Sequence, residues 1–257
     1  MLAMQLTAWH TRERPERFPN GRSMPPWHSI TSNGDGLPFL QSVANFYSSA
    51  FIIMNLSPAD AARRHSWNPT PHPLIRQIWQ QLPAGCNVLD LGCGSGRDTL
   101  FLAQQGFHVT AVDRSPEVIQ QLQFTANQLA LKNIRTICHS IDTLTLPDPS
   151  YELINMANVL HFLAKETAIE LLDRVKNSLP SGGQIIIQAF TTKDVLFQTR
   201  RHKAYFETEE LRTLFADFDI ELCEDQTVVD RPHPGFDYPH EHHILNFIGR
   251  RPSPTDS

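Results

Sequence analysis

The chain has 257 residues, 40% of them hydrophobic and 19% charged. That length fits one large domain, or one domain with an extension, and a net charge of −5 leaves no broad basic surface for nucleic acid. Four cysteines (Cys86, Cys93, Cys138, Cys223) show no C-x-x-C spacing, which predicts reduced thiols and a cytoplasmic protein rather than a disulfide scaffold.

Residues 1–53 form an irregular extension, read as loop, disorder or an over-extended start. Pro15, Pro19, Pro25, Pro26 and Pro38 are scattered among polar residues without helical or strand period. No basic stretch precedes an apolar core, so no signal peptide is expected. The run from Leu37 to Leu56 carries no charge, but Gln41, Ser42, Asn45, Ser48, Ser49 and Asn55 interrupt it. A span needs about 20 predominantly apolar residues, so no membrane segment is expected. Met54 offers an alternative natural start. Residues 54–82 read as a helical cap: a short helix over 58–65, an extended proline-rich stretch from Trp67 to Pro73 that could cover a site, and an apolar stripe at 74, 75, 78, 79 and 82.

Residues 83–251 alternate strand and helix. Strands are expected at 87–91, 108–113, 134–139, 151–157 and 184–190, with helices at 97–105, 115–130 and 165–179 between them. A helix at 207–216, a strand at 218–224, a histidine-rich segment and a last strand at 243–250 complete the domain. Residues 252–257 read as a disordered tail. This alternation predicts an α/β fold with a doubly wound parallel sheet.

The chemistry concentrates at Asp90-Leu91-Gly92-Cys93-Gly94-Ser95-Gly96. An apolar strand ends in a carboxylate, and three glycines at alternate positions let main chain turn tightly where a Cβ would fill a ligand's space. Cys93 sits inside that loop, where its small size counts for more than its sulfur. Asp113 closes the next strand, within about 20 residues, the spacing at which an acid grips a ribose diol. A dinucleotide fold would show G-x-G-x-x-G, but Arg97 stands where the third glycine belongs.

The pattern of an acid followed by G-x-G-x-G resembles motif I of the class I S-adenosylmethionine-dependent methyltransferases. Residues 88–103 and 106–113, with the later run Tyr205-Phe206-Glu207-Thr208-Glu209-Glu210-Leu211-Arg212, are similar to the tellurite-resistance (TehB-like) methyltransferases. The resemblance implies a seven-stranded Rossmann-like sheet, mostly parallel with an antiparallel last strand, and S-adenosylmethionine as cofactor. It also implies a pocket in which Asp90, Gly92, Cys93, Gly94 and Gly96 surround the methionine end. Asp113 would take the ribose hydroxyls. Arg114 would pack along the adenine or form an exposed ion pair, Asp142 would read the adenine amino group beside apolar Ile141, and Asn158 would face the methionine.

The acceptor side is less marked. Histidines near neutral pKa can take a proton from a thiol or hydroxyl, and an arginine can pair with an anion. The candidates are His161, Phe190, Arg231, His233, His240, His242 and His243. His161, Arg231, His233 and His242 are the expected catalytic set, although Asp230-Arg231-Pro232-His233-Pro234 only approximates the His/Arg pair of the resemblance. His240 and His242 alternate on a strand and could chelate with His233 or Glu241, yet no metal is expected, since TehB-like enzymes need none. The expected activity is methyl transfer to a small-molecule nucleophile such as a thiol or chalcogen oxyanion, without nucleic-acid or membrane partners. A non-catalytic cofactor-binding module and an NAD(P)-dependent oxidoreductase are the alternatives.

Overall fold

The computed structural model describes residues 70–146, 149–198, 200, 203–230 and 238–253. The expected extension, the helix over 58–65, Trp67, Arg231, His233 and the last four residues lie outside them. Seven strands form one sheet in the order β3-β2-β1-β4-β5-β7-β6. They are β1 (Asn87–Leu91), β2 (His108–Asp113), β3 (Ile134–Cys138), β4 (Leu153–Ala157), β5 (Gln184–Phe190), β6 (Asp219–Asp230) and β7 (His240–Arg250). The first five pair in parallel, and β7 runs antiparallel to both β5 and β6. This is the expected α/β sheet with an antiparallel last strand.

Among the described residues five α-helices accompany it: α1 (Pro73–Ile78), α2 (Arg97–Gln104), α3 (Pro116–Gln128), α4 (Lys165–Ser178) and α5 (Thr208–Leu214). Successive strand residues point to opposite faces, so the Val/Ile/Leu runs of β1, β4 and β5 feed two cores at once. Leu89, Ile154, Ile185 and Ile187 pack with Leu171, Leu172 and Val175 of α4 on one face. Val88, Leu153 and Ile186 pack with Leu74, Ile75 and Ile78 of α1 and with Phe101 and Leu102 of α2 on the other. The described part of the expected cap is thus an element of the core. His72 caps α1, its Nδ1 accepting the Leu74 N–H at 3.2 Å, while its own N–H donates to Asp98 at 2.7 Å.

The last hairpin departs from expectation. β6 continues to Asp230 and β7 begins at His240, so His240 and His242 lie within the last strand rather than before it. Pairing runs unbroken through Thr227↔His243, Val228↔His242 and Asp230↔His240. The outer half of β6 is exposed and charged, so it lacks the apolar alternation that marks a half-buried strand. Among the described residues no helix is long and apolar enough to cross a membrane.

Candidate active site

In the strand order, β1 and β4 are neighbours although β2 and β3 lie beyond β1 on the other side. Chain connections therefore diverge between β1 and β4, which opens a crevice at their carboxyl ends. A cavity of about 250 Å³ lies there. Its lining comes from four consecutive strand ends: Gly92 after β1, Asp113 and Arg114 at β2, Ser140 and Ile141 after β3, and Asn158 and Val159 after β4. Phe162 and Leu163 complete the wall.

The glycine loop is shaped by backbone that side chains rarely adopt. Gly92 and Gly94 have φ of +73° and +54°. A Cβ on Gly92 would meet Val159 Cγ2 at 2.4 Å, whereas a Cβ on Gly94 would meet nothing within 4 Å. Gly92 is therefore needed for the fold of the loop, and Gly94 borders open space. Asp113 fastens the loop: its Oδ2 accepts the Gly94 N–H at 3.1 Å and its Oδ1 accepts the Ser115 N–H at 3.0 Å. Each carboxylate oxygen has a second lone pair, so the group can still receive two hydroxyls from the cavity side.

Asp90 occupies a different position. It is buried, accepting the Thr99 hydroxyl at 2.5 Å and the Asn155 amide at 2.9 Å. Asp98 lies close by, accepting from Nε and one terminal nitrogen of the Arg97 guanidinium at 3.1 and 3.0 Å. Burial first, and the Asp98 charge second, push the Asp90 carboxyl above the usual carboxylate range. Asp90 thus ties β1 to the first turn of α2 and to β4 beneath the glycine loop. Gly96 also serves packing, since a Cβ there would meet Leu122 Cδ1 at 2.4 Å. Cys93 is buried, and burial followed by the Asp90 and Asp113 charges raises its thiol far from reactivity.

Gly92, Asp113, Arg114, Ile141 and Asn158 are the sequence-identified residues that line the cavity. Asn158 adopts φ +62°, a conformation asparagine tolerates better than most residues, and its N–H donates to Gln188 O at 3.0 Å. Asp142 lies next to the lining residue Ile141, its carboxyl lowered chiefly by a hydrogen bond from Ser140. Ser140, Val159, Phe162 and Leu163 carried no sequence signal beyond lying after strand ends. The set fits S-adenosylmethionine: an acid with free lone pairs suits a ribose, and apolar walls suit an adenine. The lining offers one basic side chain, Arg114, where a dinucleotide's pyrophosphate would need several donors.

On the acceptor side the rings lie in a row, two pairs tilted and one stacked. His161 lies 4.2 Å from Phe162 and 4.6 Å from Phe190 between ring centroids, and Phe190 stacks on His242 at 4.9 Å. Burial, assisted by the Arg200 charge, pushes the His161 imidazole down to about 4. Its Nδ1 is buried with no hydrogen-bond partner among the described residues. His242 Nδ1 lies 2.8 Å from Asp194 Oδ2, a pairing that sequence reasoning missed because the two stand 48 residues apart.

Hemagglutinin 1 of Eikenella corrodens is 30% identical over 164 residues, covering 63% of this chain and 53% of that protein. A probable S-adenosyl-L-methionine-dependent methyltransferase TehB of Haemophilus influenzae is 34% identical over 111 residues, covering 43% of this chain and 38% of that one. The chain therefore spans about half or less of the length of these relatives. The crystal structure of TehB from Haemophilus influenzae matches with a TM-score of 0.63 at 22% identity, over 70% of this chain and 62% of that one. An S-adenosylmethionine-dependent methyltransferase from Methanosarcina mazei matches with a TM-score of 0.57 at 18% identity, over 70% of this chain and 98% of that one. These two likenesses show the fold. The family described as tellurite resistance protein TehB matches residues 76–231, more than half of the sequence, and the chain belongs to that family.

Proposed function

We propose that this chain is an S-adenosylmethionine-dependent methyltransferase whose acceptor is a small nucleophile such as a thiol or a chalcogen oxyanion. The observation that carries the reading is the Asp113 carboxylate, pinned by two backbone N–H groups at the rim of a cavity built from four strand ends. Family membership and the TehB relatives support it.

Bound in the cavity, S-adenosylmethionine supplies a methyl group already activated by its sulfonium. Asp113 accepts the ribose hydroxyls, and Gly92 and Gly94 let the loop approach the methionine end. Ile141, Val159 and Phe162 exclude water from the apolar part. Asn158 presents an amide to the polar end, and Asp142 stands ready for the adenine amino group. Holding acceptor and methyl carbon in line can supply about 7–11 kcal/mol of the barrier at best.

His161 is a poor proton reservoir, because an imidazole lowered to about 4 releases a proton readily. That favours an acceptor that arrives as an anion, which needs no strong base. Tellurite, selenite and thiolates meet this condition, and the family description names tellurite resistance.

The deciding experiment pairs calorimetry with turnover. S-adenosylmethionine should bind and NAD(H) should not, and S-adenosylhomocysteine should form with at least one member of a panel of thiols, selenite, tellurite and halides. Failure to bind S-adenosylmethionine would sink the proposal. Binding without turnover across the panel would reduce the chain to a cofactor-binding module.

A further inference from the structure

At the far end of the β6–β7 hairpin, the cross-strand pair Asp230↔His240 and the next same-face residue, His242, converge. One ligand atom from each of the three lies within 4.8 Å of the others. The two histidines are buried and Asp230 is exposed. Their Nε2 atoms face each other at 2.9 Å.

The outward nitrogens decide where the hydrogens are. His242 Nδ1 meets the Asp194 carboxylate at 2.8 Å, and His240 Nδ1 meets the Tyr238 carbonyl at 3.2 Å. Both partners are acceptors only, so each Nδ1 must carry a proton. With each Nδ1 a donor, the two Nε2 atoms turn toward each other and toward the Asp230 carboxylate, as the ligands of one cation do. Asp194 is fixed for this task. Its side chain is 0% exposed, and it also accepts the His243 N–H at 3.0 Å and the Leu196 N–H at 2.9 Å.

We propose that His240, His242 and Asp230 form a site for a divalent cation of the zinc class, with Asp194 and the Tyr238 carbonyl orienting the two imidazoles. Histidine nitrogens at facing positions, each held from behind by a carboxylate or carbonyl, are the usual arrangement of metal-ligating imidazoles. Two imidazoles and a carboxylate make a borderline donor set that suits zinc and its neighbours better than magnesium or calcium. A tetrahedral ion ~2.0–2.1 Å from each nitrogen wants the pair about 3.3 Å apart, so the rings need to part by only about half an ångström. Asp230 supplies the third ligand from the solvent side, and water completes the shell.

The site is separate from the methyl-donor cavity and its existence does not depend on methyl transfer. The row of rings His242–Phe190–His161–Phe162 links it to the cavity wall, since Phe162 lines the cavity. Sequence reasoning expected no metal here, having weighed His240 and His242 without Asp230 opposite and Asp194 behind.

The test uses the tag-free full chain, stripped with chelator and dialysed against Zn²⁺. Elemental analysis should find one zinc per chain in the wild type. Zinc should be lost in His242→Ala and weakened about 10–100-fold in Asp194→Asn, the range for removing an orienting partner. Asp230→Asn, on an exposed strand edge, should also weaken binding if the buried variants fail to fold. His108→Ala, an exposed histidine elsewhere, should leave the stoichiometry unchanged. Added zinc should raise the melting temperature of the wild type and not that of Asp230→Asn. Absence of zinc binding at ~100 μM would overturn the proposal and leave a proton shared between the two rings. Stoichiometry unaffected by Asp230→Asn and by every folded variant of the other two would overturn it as well.

Discussion

At the scale of single residues, Asp113 and the glycines of the loop divide the work of holding a ligand. Asp113→Ala removes an acceptor for two hydroxyls, and a charge-assisted hydrogen bond is worth about 1.5–3 kcal/mol. Calorimetry should show S-adenosylmethionine bound about 10–100-fold more weakly. The glycines separate stability from binding. Gly92→Ala drives a Cβ into Val159 and should lower the unfolding midpoint as well as affinity. Gly94→Ala meets no atom, so its fold cost is the φ strain alone, of order 1 kcal/mol. Its affinity loss should exceed that, because the methyl group stands in the ligand's space. Equal affinity for wild type and Gly94→Ala would show that the ligand does not approach this stretch of backbone.

At the scale of elements, the buried carboxylate of Asp90 joins β1, α2 and β4 through Thr99 and Asn155. Thr99→Val keeps the shape and removes one donor to a buried charge. Denaturant unfolding at neutral pH should show a loss of about 1–3 kcal/mol. The sequence shows such elements unevenly. The strands β1, β2 and β5 are legible to the residue because they are apolar runs bounded by turn residues or by the acid and glycines of the loop. The cofactor crevice follows from them, since the acid, the glycines and Asp113 all sit at strand ends. The hairpin is less legible: Asp225, Gln226, Thr227 and Asp230 look like loop, and their strand state comes from pairing with β7. Asp194 is invisible from sequence for a related reason. It lies in a polar loop, and only the sheet brings β7 against it. The lining residues Phe162 and Leu163 belong to a short connection whose path no periodicity marks.

At the scale of the whole molecule, buried titratable groups tie stability to pH. His161 titrates at about 4 when folded and near 6.5 when unfolded, because burial disfavours its charged form. Its folded-state value is depressed, so the unfolded chain binds the proton first as pH falls. Stability is then unaffected above about pH 6.5 and is lost progressively down to about pH 4, by about 3 kcal/mol in all. The Asp90 carboxyl, raised by burial, works in the opposite sense over its own range. The difference between wild type and His161→Phe isolates the histidine. Urea unfolding should show the two curves converging in shape above pH 6.5 and the wild type falling away below it. Parallel curves between pH 6.5 and 4 would contradict the buried, neutral imidazole.

The hydrogen bond from the Gly94 amide to Asp113 has a consequence for kinetics and coupling. The acid that would hold the ribose also fixes the loop that would enclose the methionine, so ligand occupancy and loop order are reciprocally linked. Exchange of the Gly94 amide with solvent deuterium should slow when S-adenosylmethionine binds, and should speed up in Asp113→Ala even without ligand. The affinity losses of Asp113→Ala and Gly94→Ala should then overlap. Removing the clasp frees the loop to move its extra methyl group aside, and the double variant should bind better than the two single losses added together would allow.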